Sequence, residues 1–112
     1  MIFTQLDQDA QLPESTCLGY DLFSNSEYVI QPGCRAVVST GVSVNFPEGT
    51  YGRLATRTGL AVKHGLTILA DVVEPGYHEE LKVVIHNTDT RRAFVIHKGY
   101  KIAKIILLPI IK

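Results

Sequence analysis

One run carries most of the chemistry in this sequence: Gly52-Arg53-Leu54-Ala55-Thr56-Arg57-Thr58-Gly59-Leu60-Ala61-Val62-Lys63-His64-Gly65-Leu66. A guanidinium, a hydroxyl and a glycine follow one another at Arg57, Thr58 and Gly59. Arg57 can fork two donors onto anionic oxygens. Thr58 adds a hydroxyl, and Gly59 lets backbone N–H groups come close. If Leu60 opens a helical turn, its unpaired N–H groups aim at the same anion. Together these are what a polyphosphate needs.

The elements that must position this run are short strands. Hydrophobic stretches cut by turn residues place strands at Met1 to Leu6, Tyr20 to Phe23, Tyr28 to Ile30, Arg35 to Thr40, Val42 to Phe46 and Tyr51 to Thr56. Further strands fall at Thr67 to Ala70, Val72-Val73, Leu81 to His86, Ala93 to His97 and Lys101 to Pro109. Asp7 to Thr16 reads as a loop, and only Gly59 to Lys63 has room for a helix, barely more than a turn. Many short strands at regular intervals predict an all-β barrel or sandwich. No repeat or linker divides the chain, so residues 1–112 are expected to form a single domain. The last strand is apolar on both faces, from Ile102 through Ile105, Ile106, Leu107 and Leu108 to Ile110 and Ile111. Such a strand is expected to be covered by a subunit interface.

Eleven Lys and Arg balance eleven Asp and Glu. A zero net charge argues against a nucleic-acid binder that relies on a broad basic field, and leaves room for a local cation cluster. Cys17 and Cys34 fit no metal or redox spacing and are expected to be buried or half-buried free thiols. His64, His78, His86 and His97 show no metal-ligand spacing; His86 and His97 read as surface or interface residues. No apolar run approaches a membrane span and no signal peptide opens the chain, so the expectation is a soluble intracellular protein with no membrane partner.

Four segments resemble the motifs of the trimeric dUTPase family: Leu18-Gly19-Tyr20-Asp21-Leu22, the arginine-rich run above, Ala70-Asp71-Val72-Val73-Glu74-Pro75-Gly76-Tyr77-His78-Glu79-Glu80-Leu81-Lys82-Val83, and Gly99-Tyr100-Lys101-Ile102-Ala103-Lys104-Ile105-Ile106. The resemblance implies a distorted β-barrel of jelly-roll type with one very short helix. It also implies a homotrimer whose sites are built from more than one subunit, and a dUTP or related deoxyuridine nucleotide as substrate. Mg2+ would be held through phosphates and water, with Asp21 positioning that water and no residue ligating the metal directly. By match, Arg57, Thr58 and Gly59 hold phosphates, Thr58 standing for the family's usual serine. Tyr77 packs beneath the deoxyribose and excludes a 2′-hydroxyl. Glu74 stands where the family has an aspartate that orients the attacking water. Its extra methylene moves the carboxylate by about an ångström, an error that costs a general base about a hundredfold. Lys104 stands where a glutamine touches phosphate oxygens, and Tyr100 and Lys101 also depart from the pattern.

Taken without the resemblance, Asp21 reads as a strand-end aspartate capping a turn, and Glu74 to Tyr77 as a tight turn with a half-buried tyrosine. The family's glycine-rich fifth motif has no counterpart before Lys112, from which weaker triphosphate ordering and slower turnover are expected. The leading expectation is an enzyme, a nucleotide pyrophosphatase that converts dUTP and water to dUMP and pyrophosphate. The alternative is a catalytically impaired dUTPase-fold protein acting as a nucleotide-binding or protein-interaction module. A deoxycytidine nucleotide deaminase of similar fold ranks last, because its pattern around the catalytic glutamate is not evident.

Overall fold

Valines, isoleucines and aromatics at period two, interrupted by Pro and Gly, favour short half-buried strands over helices. A computed structural model describes residues 1–112. Its strands are β1 (Ile2–Gln5), β2 (Glu14–Ser15), β3 (Tyr20–Phe23), β4 (Tyr28–Ile30), β5 (Arg35–Ser39), β6 (Val42–Asn45) and β7 (Thr50–Ala55). After the helix α1 (Thr58–His64) come β8 (Leu66–Leu69), β9 (Val72–Val73), β10 (Lys82–Asn87), β11 (Phe94–Ile96) and β12 (Lys101–Pro109). No helix is long and apolar enough to cross a membrane.

The strands pair antiparallel in four sheets, ordered β2-β3-β12-β7-β9, β5-β10-β8, β1-β6 and β11-β4. The all-β expectation holds. The hydrogen-bonded ladder does not close into one barrel, because the largest sheet ends on two-residue strands, β2 and β9, too short to carry pairing onward. β2 lies inside the segment expected to be a loop; with only Glu14 and Ser15 paired, it offers no periodicity to read.

One apolar cluster fills the space between the sheets, with Leu22, Ile30, Val38, Val42, Val83, Ile85, Ile96 and Ile105 all but inaccessible. Asn87 is the polar member of this interior and is fully satisfied. Its Nδ2 donates to the carbonyls of Ile30 and Arg92, each at 2.9 Å, and its Oδ1 accepts the N–H of Asp89 at 3.0 Å. Gly19 (φ +84°) is required by close approach as well as by dihedral: a Cβ there would stand 2.1 Å from the Ile105 carbonyl oxygen. It lets the turn into β3 lie flat against β12.

Two expectations are corrected. Only the first half of β12 is covered on both faces: Ile102, Ala103 and Ile105 are buried, whereas Leu107, Ile110 and Ile111 are exposed. The reason is pairing: β3 flanks β12 as far as Ile105, and only β7 continues beside it to Pro109. Cys17 and Cys34 are both exposed rather than buried. Cys17 sits on the bend between β2 and β3, and Cys34 closes a turn through its N–H to the Gln31 carbonyl at 3.0 Å, so neither side chain lies on a core-facing strand position.

Candidate functional site

β12 gathers residues that are far apart in sequence. Its Lys104 lies opposite Asp21 of β3 on one side and Ala55 of β7 on the other. Arg57 follows two residues after Ala55 as β7 turns into α1. One level of the sheet therefore carries Asp21, Lys104 and the approach to Arg57.

Asp21 is the centre of this cluster. Its side chain is 6% exposed, and Arg57 Nη1 stands 3.2 Å from Oδ1, with Lys104 Nζ at 3.8 Å from the same oxygen. Lys101 Nζ lies 3.6 Å from Oδ2 and also 3.5 Å from Glu14 Oε1. Residues 101 and 104 are an odd number apart, so a regular strand would send them to opposite faces. The register shift between Lys101 and Ala103 inserts an extra residue and turns both ammonium groups toward Asp21. Despite its ring of cations, Asp21 Oδ1 accepts no aligned hydrogen bond from the protein. Lys104 is held in place by donating to Thr16 Oγ1 at 3.1 Å.

These side chains open onto a polar cleft of about 570 Å³ lined by Asp21, Arg57, Thr58, Gly59, Lys63 and Lys104 among others. The helix expected over Gly59 to Lys63 begins one residue earlier and ends one later, at Thr58 and His64. Arg57 is its N-cap in an extended conformation, with no side chain capping the first turn. The first backbone bond of α1 runs from the Ala61 N–H to the Arg57 carbonyl at 3.1 Å, which leaves the earlier N–H groups without an intrahelical partner. Gly59 has no positive φ, and a Cβ built on it would meet nothing within 4 Å. Protein packing thus does not need glycine here; the open space belongs to the cleft.

Glu74 and Tyr77 lie elsewhere. They line a second, more apolar cleft of about 320 Å³ with Leu54, Ala70, Val72, Val73, Leu81 and Lys82. The two clefts share no lining residue. Antiparallel pairing of Gly52 with Val73 and Arg53 with Val72 explains the separation. One more residue along, Glu74 comes level with Tyr51, which at about 3.3 Å per residue is about 20 Å of strand away from Arg57. Within one copy, then, Asp21, Arg57, Thr58, Gly59 and Lys104 are brought together, and Glu74 and Tyr77 are not brought to them.

Inside the second cleft a turn shapes the hairpin, with the Tyr77 N–H donating to the Glu74 carbonyl at 3.0 Å. The Tyr77 hydroxyl donates to the Glu80 carbonyl at 2.5 Å, and the ring packs on the core. Burial, aided by the nearby Glu79 and Glu80 carboxylates, pushes the Tyr77 phenol above its ordinary value of 10.0. Glu80 is a structural anchor, accepting from the Ser39 hydroxyl and from the Gly41 N–H at 2.8 Å. Asp71 pairs with Arg53 at 3.4 Å, both half-exposed. Lys101 and Thr16 are cluster members that the sequence did not single out, since a bulge and a side-chain bond across 88 residues leave no local signal.

A family model described as dUTPase matches residues 9–112. The chain is 46% identical over 93 residues to the deoxyuridine 5′-triphosphate nucleotidohydrolase of Paramecium bursaria Chlorella virus 1, covering 83% of this chain and 65% of that protein. It is 37% identical over 112 residues to the same-named protein of Clostridium tetani, covering 96% of this chain and 77% of the relative. The match thus spans slightly under two thirds of the length of the viral relative. Among solved structures, a variant of the dUTPase from Staphylococcus aureus phage phi11, described with a structural Mg(II) ion, superposes with a TM-score of 0.92 at 27% identity, over 99% of this chain and 91% of that one. The dUTPase of Staphylococcus bacteriophage 80alpha, bound to dUpNHpp, gives 0.90 at 28% identity, over 99% and 83%. A motif-bearing cluster on the shared fold and a family match across nearly the whole sequence place this chain in the dUTPase family.

Proposed function

We propose that this chain hydrolyses dUTP to dUMP and pyrophosphate, as a homotrimer of single-domain, barrel-like subunits. The observation that carries the reading is the cluster of Arg57, Lys104 and Lys101 around buried Asp21, open to a cleft whose glycine no packing contact requires. Arg57 and Lys104 bind phosphate oxygens, Thr58 adds its hydroxyl, and Gly59 admits the phosphate to the free N–H groups of the first helical turn. Tyr77 presents a rigid ring to the sugar, its hydroxyl already engaged by the Glu80 carbonyl. Glu74 accepts a proton from the water that attacks the α-phosphorus as the bond to the bridging oxygen breaks and pyrophosphate leaves.

The residues fit magnesium bound through substrate and water. No group of three or more His, Cys, Asp or Glu side chains could cage a cation directly, whereas Asp21 Oδ1 is a buried acceptor without a partner on the wall of the phosphate cleft. When bound, the ion neutralises charge developing on the phosphate chain. Asp21 orients a water of its hydration shell and holds Arg57 and Lys104 in position.

Because Glu74 and Tyr77 stand about 20 Å of strand from Arg57, the reading requires a second copy to bring its Glu74 cleft against the first copy's phosphate cleft. The exposed apolar end of β12, with Leu107, Ile110 and Ile111, supports such association. Following pyrophosphate release from dUTP and magnesium tests the proposal. Release by the unmodified chain, and its loss in both Glu74→Gln and Arg57→Ala, is the expected result. An unmodified chain that binds a non-hydrolysable dUTP analogue but releases nothing would leave the binding-module reading instead, which the Glu74 replacement favours.

A further inference from the structure

The phosphate cleft does not stop at α1. Lys63 and His64, on its far wall, also line an adjoining cleft of about 250 Å³ with Asp89, Arg92, Ala93 and Phe94. Both walls of this second cleft are built. On one side, Gly65 closes α1 by donating to the Ala61 and Leu60 carbonyls, so Lys63 is not needed as a cap. On the other, the loop carrying Arg92 is pinned from three directions. Asp89 Oδ1 accepts the N–H groups of Arg91 and Arg92 at 2.8 and 3.0 Å, and buried Asn87 Nδ2 donates to the Arg92 carbonyl at 2.9 Å. Thr88 then fastens the loop to the helix, its N–H and Oγ1 donating to the Gly65 carbonyl at 3.0 and 2.6 Å. The His64 ring packs on Phe94 with centroids 4.8 Å apart and forms the floor.

Neither Lys63 nor Arg92 makes an ion pair with any carboxylate of the chain. The one carboxylate in the cleft, Asp89, is occupied by its own loop, and those N–H groups hold its pKa below the ordinary 3.8. Two unpaired cations on rigid walls, continuous with a phosphate cleft, form an anion site. We propose that Lys63 and Arg92 form a second anion subsite that takes the distal, pyrophosphoryl end of a nucleotide whose first phosphate lies on Arg57 and Gly59. The inference rests on the nucleotide reading of the first cleft. It assigns Lys63 and Arg92 to the leaving pyrophosphate and to its retention after the bond breaks.

Calorimetric titration of inorganic pyrophosphate and, separately, dUMP tests this on the unmodified chain, Lys63→Ala, Arg92→Ala, the double variant and Arg92→Lys. Exposed charge contacts being modest, each alanine is expected to weaken pyrophosphate binding about threefold and the pair about tenfold at low salt. Binding of dUMP should be unchanged, and Arg92→Lys should keep most of the pyrophosphate affinity. A double variant that binds pyrophosphate as tightly as the unmodified chain overturns the proposal. So does equal loss of dUMP binding, or no pyrophosphate binding by the unmodified chain. Should the chain hydrolyse no dUTP yet bind pyrophosphate through Lys63 and Arg92, the subsite stands and the proposed reaction falls. Hydrolysis with pyrophosphate binding indifferent to both residues leaves the reaction standing and removes the subsite.

Discussion

Asp21 is a buried carboxylate among three cations, and its charge does two jobs that one substitution separates. Asp21→Asn keeps the shape and removes the countercharge, leaving Arg57, Lys101 and Lys104 to repel one another. Because the cations are about a third exposed and screened, the expected loss is about 1–3 kcal/mol, read as a lower thermal midpoint. Binding of a dUTP analogue without magnesium should hold or tighten, since a negative charge beside the phosphates is gone, while the gain on adding magnesium should shrink. An unchanged magnesium effect would remove Asp21 from its proposed role. Tyr77 gives a pH prediction. Its pKa is raised in the folded chain, so the native state holds the phenolic proton more tightly than the unfolded state. Stability from this group is therefore complete below about pH 10 and declines as pH rises through the folded value. Tyr77→Phe should flatten that alkaline decline in a series of urea melts; an identical decline would show that the tyrosine does not contribute. Arg57, Thr58 and Gly59 could be read as phosphate ligands because they are contiguous, whereas Lys101 and Thr16 could not, because a bulge and a long-range bond put them there.

At the scale of elements, two glycines separate folding from function. Gly19 is held at positive φ against the Ile105 carbonyl, so Gly19→Ala must strain the backbone and part β3 from β12. A loss of about 2 kcal/mol or more is expected in denaturant unfolding. Gly59→Ala meets no clash and gains helix propensity, so stability should hold or rise by up to about 1 kcal/mol. Its methyl would enter the phosphate cleft, and affinity for the dUTP analogue should drop. If Gly59→Ala left that affinity intact, the cleft would not be the phosphate site. Most strands were legible because alternation and turn residues agree: β3, β4, β9 and β12 run over the residues the pattern marks. The exposure of Leu107 and Ile111 was not, because it depends on where β3 stops flanking β12, a property of the partner strand.

At the scale of the whole molecule, the sequence resemblance gathers the site residues into one set, and the fold distributes them over two clefts. The reason is the antiparallel register of β7 with β9, which sends Arg57 and Glu74 off opposite ends of the pair. No composition or motif spacing carries that information; it resides in the pairing of residues that sequence order does not disclose. The same register makes the composite site a geometric requirement of the proposed chemistry rather than an embellishment of it. Co-expressing Arg57→Ala and Glu74→Gln copies and measuring pyrophosphate release from the mixed oligomers tests this most directly. Each variant alone should be inactive, while random mixing in a symmetric assembly should restore about a quarter of the unmodified rate, because about one site in four takes both intact residues from different copies. Mixed oligomers as inactive as either variant alone would contradict a site shared between subunits.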